Sequence, residues 1–293
     1  MKFTGVMPAL LTPLTKEGKL NKVCLEKLIE DLIAQGAYGF YIGGATGQGI
    51  ILDKDVLEDL ITESVKIVKG RVPIIAHIAR MNYNEMLEIA KFSEKAGVDA
   101  VSAIPPIFYK YSFDDIYRYY EGLSDVINIP IMIYNNPNTG TVFAPEQIAE
   151  LYKIKNVKAV KWTNYNFYSV MVISALTEGK FNVISGPDEM LLLGLTAGCD
   201  GGIGTTYNFL MPEIKEIYER FKAGDIDGAR EMQKKVDLYI NELLRYGETI
   251  QATRVVMAEK GYDILDTVYP KADLKPELKE QLISNLKKLG YKF

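Results

Sequence analysis

Short apolar runs alternate with amphipathic stretches along most of the chain. The runs at 5–11, 39–43, 73–78, 100–104, 130–134, 157–162, 182–185 and 202–205 are rich in Val, Ile and aromatic residues. Gly, Pro or Asn bound them, as they bound strands. Their apolarity is nearly continuous rather than strictly alternating, which suits strands buried on both faces. Between them, Leu25, Leu28, Ile29 and Leu32 fall on one face of a helix, as do Leu57, Leu60, Ile61 and Val65. Further helical patterns cover 83–96, 113–125, 145–152, 168–177, 189–197 and 212–221. Ser112 ahead of Phe113-Asp114-Asp115, and Pro212-Glu213 after Met211, are start signals. Gly36, Gly97 and Gly198 stand where helices should stop.

Eight strand–helix units in one order predict an α/β fold, a closed (β/α)8 TIM barrel. A doubly wound open sheet is the competitor, but it usually needs fewer repeats. Neither a G-x-G-x-x-G turn opening a helix nor a Walker phosphate loop occurs. On this reading residues 1–222 form the catalytic barrel. Residues 223–293, with helical pattern at 226–245, 249–260 and 276–289, form a C-terminal helical extension packed on it, not a second catalytic domain.

Composition removes whole classes of function. The 293 residues are 48% hydrophobic and 25% charged, enough to bury a large core without disulfides or metals. A net charge of −4 and no dense basic cluster argue against nucleic acid as a partner. No apolar run reaches the ~18–20 residues of a membrane span, so no membrane partner is expected. The first residues read as a strand rather than an export signal, because a positive n-region and a small-residue cleavage site are missing. Two cysteines, Cys24 and Cys199, lie far apart in no motif, which suits a cytoplasmic protein. His77 is the single histidine, so His-based metal sites, Ser-His-Asp triads and Cys-His pairs lack parts. Chemistry must rest on Lys, Tyr, carboxylates, hydroxyls and backbone.

Barrel sites lie at the C-terminal ends of the strands. That rule selects Gly43–Gly49, His77, Tyr134–Pro137, Lys161–Thr163, Gly186–Glu189 and Gly202–Asn208. Lys161 stands between Val160 and Trp162 in an apolar strand. A lysine inside a barrel is desolvated, which disfavours the ammonium and frees the amine to attack a ketone. The plainer alternative is a lysine pointing outward or snorkelling between helices. Tyr134 ends the apolar run Pro130-Ile131-Met132-Ile133 and could shuttle a proton beside an imine, or could be an ordinary strand-end aromatic. The Gly43–Gly49 turn can aim backbone N–H groups at a carboxylate or phosphate, with Thr46 adding a hydroxyl. It could equally be only a tight turn. Asp188 and Glu189 follow Gly186-Pro187, where capping the next helix is favoured over binding sugar hydroxyls. His77 is read as a packed strand residue.

At these residues the chain resembles the N-acetylneuraminate lyase and dihydrodipicolinate synthase superfamily of class I aldolases. The resemblance rests on Thr12-Pro13, the turn Gly44-Ala45-Thr46-Gly47, the box Tyr134-Asn135-Asn136-Pro137 and the strand ending Lys161-Trp162-Thr163, all in order. Gly186-Pro187-Asp188-Glu189 and Gly201-Gly202-Ile203-Gly204-Thr205-Thr206-Tyr207-Asn208 are similar to the sialic acid lyase branch. The resemblance implies that Lys161 forms the Schiff base and Tyr134 moves the proton. It implies that Thr46, with the N–H groups of Ala45 and Thr46, holds the substrate carboxylate. Thr163, Gly186, Asp188, Glu189 and Thr205 then line the sugar end. It further implies a small-molecule 2-oxo acid substrate, no cofactor beyond the covalent imine, no metal, and a homotetramer.

The implied reaction cleaves N-acetylneuraminate to pyruvate and N-acetylmannosamine. Another pyruvate-dependent aldolase or dehydratase of 2-keto-3-deoxy sugar acids is the alternative. A non-catalytic sugar-acid-binding barrel is the third reading. The chain departs from the family at Ala45, usually Ser or Thr; at Gln48, usually Glu; and at Phe108, often a tyrosine that crosses a subunit interface. The hydroxyl relay around Tyr134 is therefore expected to be thinned. The loop after Pro137 lacks the arginine with which synthases bind a dicarboxylic substrate. Arg80, unusual at the end of the third strand, either supplies charge or, as expected, lies exposed on the surface.

Overall fold

All eight strands form, and all their pairings are parallel. The structure, a computed structural model, describes residues 2–265 and 271–293. In chain order it runs β1 (Gly5–Pro8), α1 (Lys22–Ala34), β2 (Phe40–Ile42), α2 (Lys54–Val68), β3 (Ile74–His77), α3 (Tyr83–Ala96), β4 (Ala100–Ala103) and α4 (Phe113–Val126). It continues with β5 (Ile131–Asn135), α5 (Pro145–Leu151), β6 (Val157–Trp162), α6 (Phe167–Leu176), β7 (Asn182–Ser185), α7 (Leu191–Thr196), β8 (Gly201–Gly204) and α8 (Tyr207–Lys222). The helices α9 (Ile226–Leu244), α10 (Thr249–Glu259) and α11 (Pro276–Lys288) follow.

The sheet order is β1-β8-β7-β6-β5-β4-β3-β2. The remaining seam, between β1 and β2, is closed by a few bonds: Tyr38 N–H donates to Val6 O at 3.0 Å and Leu10 N–H to Tyr41 O at 2.8 Å. The chain is thus a (β/α)8 barrel. The strands are buried on both faces except at Lys158, which explains their unbroken apolarity. The helices cover them with the faces the spacing predicts, Leu25, Leu28, Ile29 and Leu32 of α1 among them.

Two elements differ from their sequence patterns. The helix expected to begin at Pro212 starts at Tyr207 and carries that proline inside it, with Leu210 outside helical geometry. Proline ends the regular hydrogen-bond ladder but the chain resumes after a kink. The helix expected over 189–197 opens instead with a 3-10 turn at Asp188–Met190 before α7.

One irregularity sets the register of the site. Ile131 faces Val157, but Met132 faces Ala159, so Lys158 is skipped. This bulge places Lys161, rather than Val160, opposite Tyr134 on the paired strand. Residues opposite one another in a parallel pair point to the same face, so both side chains enter the barrel.

Candidate active site

The barrel interior beneath the strand ends is aromatic and polar. Tyr41 from β2, His77 from β3 and Tyr134 from β5 meet edge-on or tilted, with ring centres 5.9–6.2 Å apart. Tyr41 is tied to Ser102 of β4 by a 2.9 Å hydrogen bond. Lys161 reaches into this cluster and is buried, with Nζ 4.3 Å from the ring centre of Tyr134 and 5.1 Å from that of Tyr41. No ion pair to Lys161 occurs among the described residues. His77 is a packed residue, as its place in the strand suggests. Burial pushes its imidazole down to about 3, with only a partial offset from the Gly43 backbone, so it stays neutral.

Above this layer opens a cavity of about 580 Å³. Every candidate residue lines it: Ala45, Thr46, Tyr134, Lys161, Thr163, Gly186, Asp188, Glu189 and Thr205. They come from five different strand ends, which only barrel closure brings together. Thr46 and Thr205 join the β2 and β8 turns through a 2.7 Å hydroxyl–hydroxyl bond. Thr163 Oγ1 is buried without a hydrogen-bond partner, leaving it available to a ligand.

The two acidic residues do not cap the helix that follows. One oxygen of each is committed elsewhere. Asp188 Oδ2 accepts 2.7 Å bonds from the backbone N–H and the hydroxyl of Thr206 at the end of β8. Glu189 Oε1 accepts a 2.6 Å bond from the Tyr165 hydroxyl. The first turn offers no side-chain cap because Pro187 stands at its N-terminus. Burial raises the Asp188 carboxyl to about 6, the Thr206 bonds opposing this and the Glu189 charge adding to it. Its position explains Gly204: a Cβ there would fall 2.2 Å from Asp188 Oδ1. The Glu189 bond and burial together push the Tyr165 phenol up to about 12.

Other residues at the site lie outside the expected set. Asn136 Nδ2 donates to the Tyr134 hydroxyl at 3.2 Å, a partner for the phenol that the Ala45 position cannot supply. Tyr165 and Thr206 stand in polar loops. Ile240 and Leu244 of α9, with Glu248, Thr249 and Ile250, form the outer wall. Gln233 of α9 locks this layer to the site, donating to Asp188 O at 3.2 Å and accepting from Leu192 N–H at 3.1 Å.

Arg80 corrects an expectation. Its side chain is only 6% exposed, not on the surface. It donates to the carbonyls of Gly49, Ile50 and Leu52 at 2.9, 3.3 and 2.7 Å and pairs with Glu85 at 3.0 Å. The sequence missed this because backbone acceptors leave no mark in residue type. Behind Tyr134, a second cavity of about 470 Å³ is lined by His77, Ile104, Ile107 and Phe108. Phe108 itself is 82% exposed and holds a left-handed backbone, φ 79°.

Comparison with known proteins shows the family. Residues 2–289 match the Dihydrodipicolinate synthetase family. The N-acetylneuraminate lyase of Clostridium perfringens is 32% identical over 291 residues, covering 99% of each chain. Among solved structures, CdNal from Clostridium difficile in complex with mannosamine superposes with a TM-score of 0.93 at 29% identity, covering 99% of this chain and 100% of that one. The N-acetylneuraminate lyase of Proteus mirabilis gives 0.94 at 26% identity over the full length of both chains. A likeness that runs from one end of the barrel through the C-terminal helices makes this chain a member of the dihydrodipicolinate synthetase family.

Proposed function

We propose that the protein is a class I aldolase that cleaves N-acetylneuraminate to pyruvate and N-acetylmannosamine. The observation that carries this reading is the charge pattern of the cavity lining. Lys161 is the one cation among the described lining residues, and it shares the cavity with the Thr46 hydroxyl and with the acidic Asp188, Glu189 and Glu248. Such a lining accepts hydroxyl donors and offers no second cation to a second carboxylate or a phosphate. An uncharged polyol chain fits it, and a dicarboxylic substrate does not. The lyase relatives support the same substrate.

The chemistry follows from the pair at the strand ends. Lys161 Nζ attacks the C2 ketone of the open-chain sugar acid, water leaves, and an iminium forms. Tyr134, hydrogen-bonded to Asn136 and helped by the substrate carboxylate, takes the proton of the C4 hydroxyl. The C3–C4 bond breaks, its electrons pass into the iminium, and N-acetylmannosamine departs as the aldehyde. The enamine is protonated at C3, and water then hydrolyses the imine to pyruvate and the free amine. The imine is the electron sink, so the reaction needs no dissociable cofactor or metal.

We place the protein in the cytoplasm, where its two buried free thiols, Cys24 and Cys199, stay reduced. Among the described residues no helix is long and apolar enough to cross a membrane. A homotetramer belongs to the same proposal. Phe108 with Tyr109, and the outward face of α6 at Tyr168 and Met171, are exposed apolar surfaces that further copies would cover.

Pyruvate release from N-acetylneuraminate, assayed beside a panel of 2-keto-3-deoxy sugar acids, tests the reading. The sugar acid is expected to be the best substrate. Release only from another acid moves the protein to the alternative aldolase or dehydratase.

A further inference from the structure

We propose that Arg80 is a positioning residue for substrate binding: it holds the β2 turn in the shape that receives the substrate carboxylate. The inference rests on the reading that Ala45 and Thr46 bind that carboxylate. The turn needs holding. It doubles back so tightly that Gly49 N–H donates to Gly44 O and Gln48 N–H to Ala45 O. A Cβ on Gly49 would fall 1.8 Å from Gly43 O. Gln48 is forced to φ 57°, a left-handed conformation unfavourable for a side-chain-bearing residue, and its Oε1 is buried without a partner. The Gln48 carboxamide oxygen therefore makes no hydrogen bond that closes the turn.

Arg80 supplies the missing restraint from the segment that follows β3. The short 3-10 turn at Gly49–Ile51 closes on itself weakly: Gly49 O accepts a 3.3 Å bond from Leu52 N–H. One guanidinium donates to three of the carbonyls in this stretch, and Glu85 on α3 fixes the guanidinium in turn. A planar fork of five donors can do this; an ammonium on a flexible stem reaches one or two carbonyls. Arg80 does not line the site cavity. It acts through the backbone between Gly49 and Leu52, and so on the N–H groups and Thr46 hydroxyl that precede them.

A merely structural arginine would affect every ligand alike; a positioning one affects ligands according to whether they bear a carboxylate. The test is the concentration dependence of borohydride trapping with pyruvate and with hydroxyacetone, a ketone lacking the carboxylate. Arg80→Ala should raise the half-saturating pyruvate concentration ~10-fold or more while leaving that of hydroxyacetone within about 2-fold. Arg80→Lys should show a smaller loss of the same selectivity, and it carries the test if Arg80→Ala does not fold by circular dichroism. Equal losses for both ketones, or no loss for either, overturn the proposal. Thr46→Val separates the two layers of the inference. If it selectively weakens pyruvate and the Arg80 variants do not, Arg80 has no positioning role while the carboxylate reading stands. If it is unselective, the carboxylate reading falls and takes the Arg80 proposal with it.

Discussion

Asp188 shows how one buried group couples folding to pH. Its carboxyl titrates near 6 in the folded chain against 3.8 ordinarily, because burial outweighs the two bonds from Thr206. Between those values the folded chain keeps a proton that the unfolded chain has released. Stability from this group is therefore greatest at low pH and falls as pH rises through the window, by on the order of 3 kcal/mol in full. The stability of the wild type relative to Asp188→Asn, measured by urea unfolding, should drop between pH 4 and pH 7. A difference that stays constant across that range contradicts the assignment. At this scale the sequence was legible where local pattern and burial conflict. A lysine or a tyrosine inside a strand otherwise apolar, as at Lys161 and Tyr134, announces itself. Tyr165 does not, since it sits in a polar loop where its residue type is ordinary, and Arg80, though unusual after an apolar strand, gives no sign of what it holds. Their partners are three distant carbonyls and one carboxylate 24 residues away, which no local pattern encodes.

At the scale of the element, strand positions were readable from composition, but the pairing of Lys161 with Tyr134 was not. It depends on the one-residue bulge at Lys158, and a bulge is a property of two strands together. The kink in α8 escapes the local pattern for a related reason: proline marks a start as readily as a kink, and packing decides between them. The β2 turn gives the sharpest test at this scale. Gly49→Ala puts a methyl group against the Gly43 carbonyl, so the turn must open. The expected result is ~1–3 kcal/mol of lost stability together with weaker pyruvate binding. An unchanged urea midpoint would show that the turn is looser than the geometry requires.

The whole molecule turns eight weak local signals into one site. No strand carries more than a few of the lining residues, and the β1–β2 seam is held by few bonds, yet closure brings the β2 and β8 turns within a hydroxyl bond of each other at Thr46 and Thr205. The repeat of strand and helix made the barrel readable. The contribution of α9 and the start of α10 to the outer wall was not, because those residues follow an ordinary amphipathic pattern and contact the cavity only through the tertiary fold. All of this converges on one atom, Lys161 Nζ, held beside Tyr134 at the base of the cavity. The most direct test is peptide mass mapping after the protein is incubated with pyruvate and reduced with borohydride. The account predicts one reduced pyruvyl group on the peptide carrying Lys161 and none on Lys161→Ala. No adduct on the wild type, or an adduct that persists in the variant, would contradict it.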